Sequence, residues 1–230
     1  YIQGNGILDK IPNELARGTF ASNAQGRVYG FNNYSDYFLP RQQAVIQTLI
    51  ECVDITCEEV IKNCVENGYK GDKAHEYADA IKLYLILVLD KGINLWSSLS
   101  SWMGDRGAMR ETFAQQGIAM SWDFAEANPF SNSGGGIGLF IERIADVLEY
   151  LPAAVPGVCS QENASRNIVA KQSLVATDPP YYDNVSYADL MDFFYVWLRR
   201  SLHGLYPDLF KTILIPKQEE LVASPYHFGG

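Results

Sequence analysis

Ser173-Leu174-Val175-Ala176-Thr177-Asp178-Pro179-Pro180-Tyr181-Tyr182-Asp183-Asn184 is the stretch on which the fold class turns. Its first five residues have the small, β-branched and apolar character of a buried strand. Two successive prolines then deny the backbone both a ladder hydrogen bond and a helical turn. Ser186 followed by Asp189 forms a capping box ahead of Leu190, Phe193, Phe194 and Trp197, so a helix is expected from Tyr187 to Leu202. A second apolar run, Ile213-Leu214-Ile215, precedes Pro216. Strand, rigid turn, helix and strand predict an α/β unit, with parallel strands at 174–178 and 213–215 joined by a right-handed crossover. Ligands in such sheets are held at the carboxyl ends of the strands, where this turn would lie.

The turn is rich in acceptors. Asp178 offers a carboxylate, and Pro179 and Pro180 offer carbonyls without a competing N–H, a combination that suits a ligand amino group. Tyr181 adds a flat face on which a planar base stacks, worth about 1–3 kcal/mol per base. The alternative is an ordinary link between strand and helix, with Asp178 bonded to nearby amides and Tyr181 packed inward.

Asp178-Pro179-Pro180-Tyr181 resembles the catalytic signature of amino-directed methyltransferases. The run Ala176 to Arg200 is more particular and resembles the large prokaryotic adenine-specific DNA methylases that contain a zinc-ribbon domain. Segments 29–42, 120–135 and 220–230 are similar to the same family. The resemblance implies a partial Rossmann-like methyltransferase sheet with a largely helical insertion, S-adenosylmethionine as cofactor, DNA as partner, and methyl transfer to adenine N6. It implies catalytic roles for Asp178, Pro179, Pro180 and Tyr181, with Asp178 and the Pro179 carbonyl holding the amino hydrogens. Asp178, Trp122 and Asp123 are the implied cofactor contacts, and Tyr181, Tyr182, Asn184 and Phe194 the substrate contacts. Two parts of the family pattern are missing, the glycine-rich cofactor loop and the zinc ribbon. The chain is therefore expected to be an internal fragment that is inactive alone and completed by the remainder of the same polypeptide. A noncatalytic nucleic-acid-binding or assembly module retaining the methylase framework is the alternative.

Composition sets looser bounds. Of the 230 residues 47% are hydrophobic, enough for a real core. Eighteen basic against twenty-seven acidic residues give a formal charge of −9, which argues against this chain as the main phosphate-binding surface. Cys52, Cys57 and Cys64 share one expected helix, and Cys159 stands far away. That spacing fits neither zinc knuckles nor a disulfide framework, so reduced thiols in a cytoplasmic protein and no metal are expected. Leu83 to Leu89 is the most apolar run and is too short to cross a bilayer.

Along the chain, residues 1–39 read as a loop-rich wrapping segment, 40–117 as a helical subdomain and 118–230 as the partial catalytic region. Pro40 opens a helix to Asn67, with Val45, Leu49, Val53, Cys57, Val60 and Cys64 on one face and Gly68 as its stop. A second helix, Lys73 to Leu99, is expected to pack antiparallel to the first. Arg106 to Gln116 reads as a shorter helix, and Ile118 to Phe124 as an extended segment that the resemblance makes a pocket wall. Ser131 to Gly138 lacks the Lys-Ser/Thr ending of a phosphate loop and reads as a flexible lead into a helix from Ile137 to Leu151. Phe140, Ile141, Ile144, Ala145 and Leu148 are that helix's expected buried face.

Overall fold

The computed structural model describes residues 6–16, 28–115, 117–151, 155, 157–158, 162–166, 173–182 and 185–223. Helix α1 (Pro40–Glu66) starts where the sequence predicts, with proline in its first turn and the Leu39 N–H donating to Gln42 Oε1 at 2.8 Å. The chain turns back through Gly68, whose φ of +88° disfavours any side chain, and enters α2 (Gly71–Ile93). The two helices run antiparallel, as expected: Lys82 Nζ meets Asp54 at 2.7 Å, and Cys57 Sγ lies 3.7 Å from the Ala78 carbonyl. The buried side of α1 carries Gln42, Ile46, Ile50, Val53 and Cys57. Its first half is thus rotated from the expected face, with Val45 and Leu49 only partly covered.

The second helix ends at Ile93 rather than Leu99 because Trp96 folds back over Gly92. A Cβ at Gly92 would lie 2.3 Å from the Trp96 ring, so the indole occupies the space a side chain would need. Ser98 then ties this bend to the N-terminal segment, its N–H and hydroxyl both donating to the Tyr37 carbonyl at 2.8 Å. The expected helix at Arg106–Gln116 is replaced by a hairpin, β1 (Ser101–Met103) against β2 (Ala108–Arg110), antiparallel with Trp102 opposite Met109. Glycine at 107 costs a helix about 1 kcal/mol, and it supplies the turn's positive φ of 60°.

Helix α3 (Ile137–Tyr150) buries Phe140 alone. Of its expected face, Ile141 is 41% exposed, Leu148 is exposed and Ile144 is half-buried, because α2 is the one helix it packs against closely. Helix α4 (Tyr187–Leu202) is the opposite case and carries the core. Phe193 and Trp197 receive Phe38 at ring distances of 5.4 and 5.5 Å, and Tyr37 and Phe113 close on Phe193 at 5.8 and 5.3 Å.

The expected α/β fold does not form among the described residues. Their one sheet is the two-stranded antiparallel hairpin, and the architecture is mainly helical. Residues 173–181 and 213–215 carry no strand, and Leu174 is 99% exposed. A strand is stable only when a neighbour completes its ladder and an apolar layer covers its face. Among the described residues neither is present at 173–177. The segment at 212–217 is instead held by side chains of α4. Tyr195 Oη and Arg199 Nε each donate to the Thr212 carbonyl at 2.9 Å, and the Ile215 N–H donates to Asp192 at 2.8 Å. The partial Rossmann-like methyltransferase sheet is corrected accordingly.

Candidate binding pocket at the Asp-Pro-Pro-Tyr turn

Two prolines fix φ over residues 179 and 180, and the chain then tightens. The Tyr182 N–H donates to the Pro180 carbonyl at 3.1 Å, a three-residue turn centred on Tyr181. Tyr182 follows with φ of 55°, the one positive value at a non-glycine among the described residues. A bulky residue in that region stores about 1–2 kcal/mol of strain, which the surroundings must hold in place. One holding contact is visible, the Ala223 N–H donating to the Tyr182 carbonyl at 3.1 Å.

That bond brings residues 220–222 beside the turn and closes a pocket of about 370 Å³. Asp178, Pro179, Pro180 and Tyr181 line one side. Tyr187, at the start of α4, and Glu220, Leu221 and Val222 line the other. Glu220 is positioned by the helix it faces: its Oε1 accepts the Ala188 N–H at 2.9 Å and caps the first turn of α4. Asp178 and Tyr181 are exposed, and Val222 is buried.

A charged network lies on the buried side of α4. Lys217 Nζ sits 2.5 Å from Asp192 and 3.7 Å from Asp189. Burial raises the Asp192 carboxyl above the usual range although Lys217 and the Ile215 N–H oppose it. The Tyr34 phenol is pushed up strongly, first by burial and then by the charge of Asp192.

The sequence-predicted residues divide clearly. Asp178, Pro179, Pro180 and Tyr181 come together in one pocket. Tyr182 shapes the turn through its backbone and is exposed, whereas Asn184 lies outside the described residues. Phe194 belongs to the core, packed against Phe113 and Phe193 at 5.2 and 5.1 Å. Trp122 and Asp123 lie outside this pocket: the indole stands edge-on to Tyr29 at 4.8 Å, and Asp123 is exposed. Tyr187 and Glu220 were not foreseen as neighbours of the turn. Glu220 is some forty residues away in sequence and carries no periodic signal that would place it there.

The Ser131–Gly138 loop is tighter than a flexible lead. The Gly136 N–H donates to the Ser133 carbonyl at 2.8 Å, and a Cβ at 136 would fall 1.8 Å from the Ser131 carbonyl oxygen. Among the described residues no group of three or more His, Cys, Asp or Glu side chains is placed to hold a metal ion. No helix among them is long and apolar enough to cross a membrane.

No protein-family profile, curated protein or solved structure matches this chain. The expectation of an S-adenosylmethionine-dependent DNA adenine-N6 methyltransferase is therefore corrected together with its sheet. The described residues build a helical framework without the parallel strands on which that cofactor and that chemistry would be arranged, and no family match restores them.

Proposed function

We propose that this chain is a noncatalytic binding module that holds a flat, amino-bearing base of a nucleic acid in the pocket at Asp178–Tyr181. The observation that supports this reading is that Asp178, Pro179, Pro180, Tyr181, Tyr187 and Glu220 line one small pocket. The likeness of the turn to an amino-directed signature supports recognition of the amino group, without methyl transfer. A formal charge of −9 leaves the phosphates to be held by another surface, so base contacts supply the affinity here. The cytoplasm is the proposed setting, supported by free Cys52, Cys57 and Cys64 on α1.

Calorimetric titration with adenosine and cytidine against inosine and uridine tests the proposal, with S-adenosylmethionine as a control ligand. The amino-bearing nucleosides should bind more tightly. Tyr181→Ala should weaken them by about 1–3 kcal/mol. Equal binding of all four, unaffected by Asp178→Ala and Tyr181→Ala, would overturn the reading. The exposed apolar side chains Ile141, Val147, Leu148 and Tyr150 on α3 favour a second reading, an assembly module, which concentration-dependent mass in light scattering would reveal.

A further inference from the structure

We propose that a second pocket, lined by the β1–β2 hairpin, the end of α2, the 126–135 segment and the start of α3, binds a planar aromatic monocarboxylate. Among the described residues it shares no lining side chain with the pocket at Asp178–Tyr181, so the proposal stands independently of base binding there.

The space measures about 470 Å³, within the range of small-molecule sites. Its loop wall is fixed by hydrogen bonds and close packing. Trp96 Nε1 and the Ile137 N–H donate to the Gly135 and Pro129 carbonyls, each at 2.8 Å. A Cβ at Gly135 would lie 2.7 Å from that of Ala127, so the loop lies directly on the 127 side chain. The hairpin contributes Trp102 and Met109, which pair across the two strands and both line the pocket. Trp102 is 57% exposed, a large aromatic surface left open at a cavity whose lining also includes Leu95 and Phe140.

Charge selects the ligand. Two carboxylates line the pocket, and each already has a cation. Glu111 is paired with Lys91 and also accepts Asn94 Nδ2 at 2.9 Å, while Glu126 accepts Arg41 Nε at 2.8 Å and Nη2 at 2.6 Å. Arg143 lines the same pocket and makes no hydrogen bond or ion pair among the described residues. These groups together leave one positive charge, carried by a planar fork that matches a carboxylate through two parallel N–H···O bonds. A phosphate monoester would bring close to two negative charges beside Glu111 and Glu126, and the chain's formal charge of −9 opposes it further. A carboxylate brings one, and an attached ring meets the indole of Trp102 and the thioether of Met109.

Ligand-observed NMR titration of the whole chain at neutral pH tests this with benzoate against benzamide, cyclohexanecarboxylate and phenyl phosphate. Benzoate should bind about tenfold more tightly than each of the others. Arg143→Gln, at an exposed helix position, should abolish the preference over benzamide, and Arg143→Lys, which keeps the charge and loses the fork, should recover only part of it. Trp102→Ala should abolish the preference over cyclohexanecarboxylate, with Trp102→Leu as the readout if the alanine variant disrupts the hairpin. Equal binding of benzoate and benzamide overturns the proposal, as does a benzoate preference that survives Arg143→Gln in a folded chain. Tighter binding of phenyl phosphate than of benzoate overturns the carboxylate assignment. No binding of any of the four overturns the site itself.

Discussion

Helices α3 and α4 are nearly the same length, fourteen and sixteen residues, and both carry a regular apolar pattern, yet they have opposite fates. Ten residues of α4 are buried, among them Phe193, Val196 and Trp197, and in α3 Phe140 is buried alone. The difference lies in what surrounds them. Aromatic side chains from 31–38, Phe113 and the 210–217 segment converge on α4, whereas α3 leans on α2 with Phe140 buried, half-covers Ile137 and Ile144, and leaves Ile141 and Leu148 in water. Amphipathicity states a demand for burial, and only a neighbouring element meets it.

Trp197→Ala should produce the largest effect, a loss of about 3–5 kcal/mol in chemical denaturation, because the indole is 1% exposed in the middle of the aromatic cluster. Trp197→Phe should cost much less, since the buried Nε1 has no hydrogen-bond partner among the described residues to lose. Phe140→Ala comes next, at about 3 kcal/mol, and should act on α3 more than on the whole. Amide exchange in 137–150 should accelerate while α4 stays protected. If both helices lose protection together, their contrast is one of appearance and they unfold as a unit.

Asp90 lies on α2, the helix that both of the others touch. Burial pushes its carboxyl up to about 7. The neutral form therefore favours the fold, with a contribution fully present below about pH 4 and lost as pH rises through 7. Asp90→Asn should keep that contribution at neutral pH, raising stability by on the order of 2 kcal/mol above pH 7 and flattening the profile between 4 and 7. Unchanged pH dependence in the variant would show that Asp90 is better hydrated than its buried Oδ1 indicates. Smallest of all, Ile141→Ser on the open side of α3 should alter stability by less than about 0.5 kcal/mol. A larger loss would reveal a covering partner. Tyr181→Ala should be equally silent in denaturation while weakening base binding.

The helices were legible because their signals are local. Pro40 and Gly68 mark ends that depend on a few adjacent residues, and Ser186 does precede α4, although the expected capping box with Asp189 does not form: the Ser186 side chain makes no capping hydrogen bond, and Glu220 accepts the Ala188 N–H instead. The strand at 173–177 was misread for the same reason in reverse: its pattern is local, but its stability depends on partners that the described residues do not contain. Gly104 and Gly107 were the signal for a hairpin where a helix was expected, and Gln42, which caps α1, explains part of the displaced buried face. At the site, the acceptor-rich turn was readable from two prolines and a carboxylate. Its opposite wall was not, because Glu220 reaches it through a helix cap and a single backbone bond.

That cap gives the pocket a built-in reporter. Glu220 Oε1 is at once a wall of the site and the acceptor for the Ala188 amide, so the chemistry of occupancy and the fraying of α4 share one hydrogen bond. An occupant that draws the carboxylate toward itself unmasks that amide, whereas one that only stacks on Tyr181 leaves it protected. The exchange rate of a single backbone hydrogen thus distinguishes ionic from stacking contact, without a label and without a change in fold.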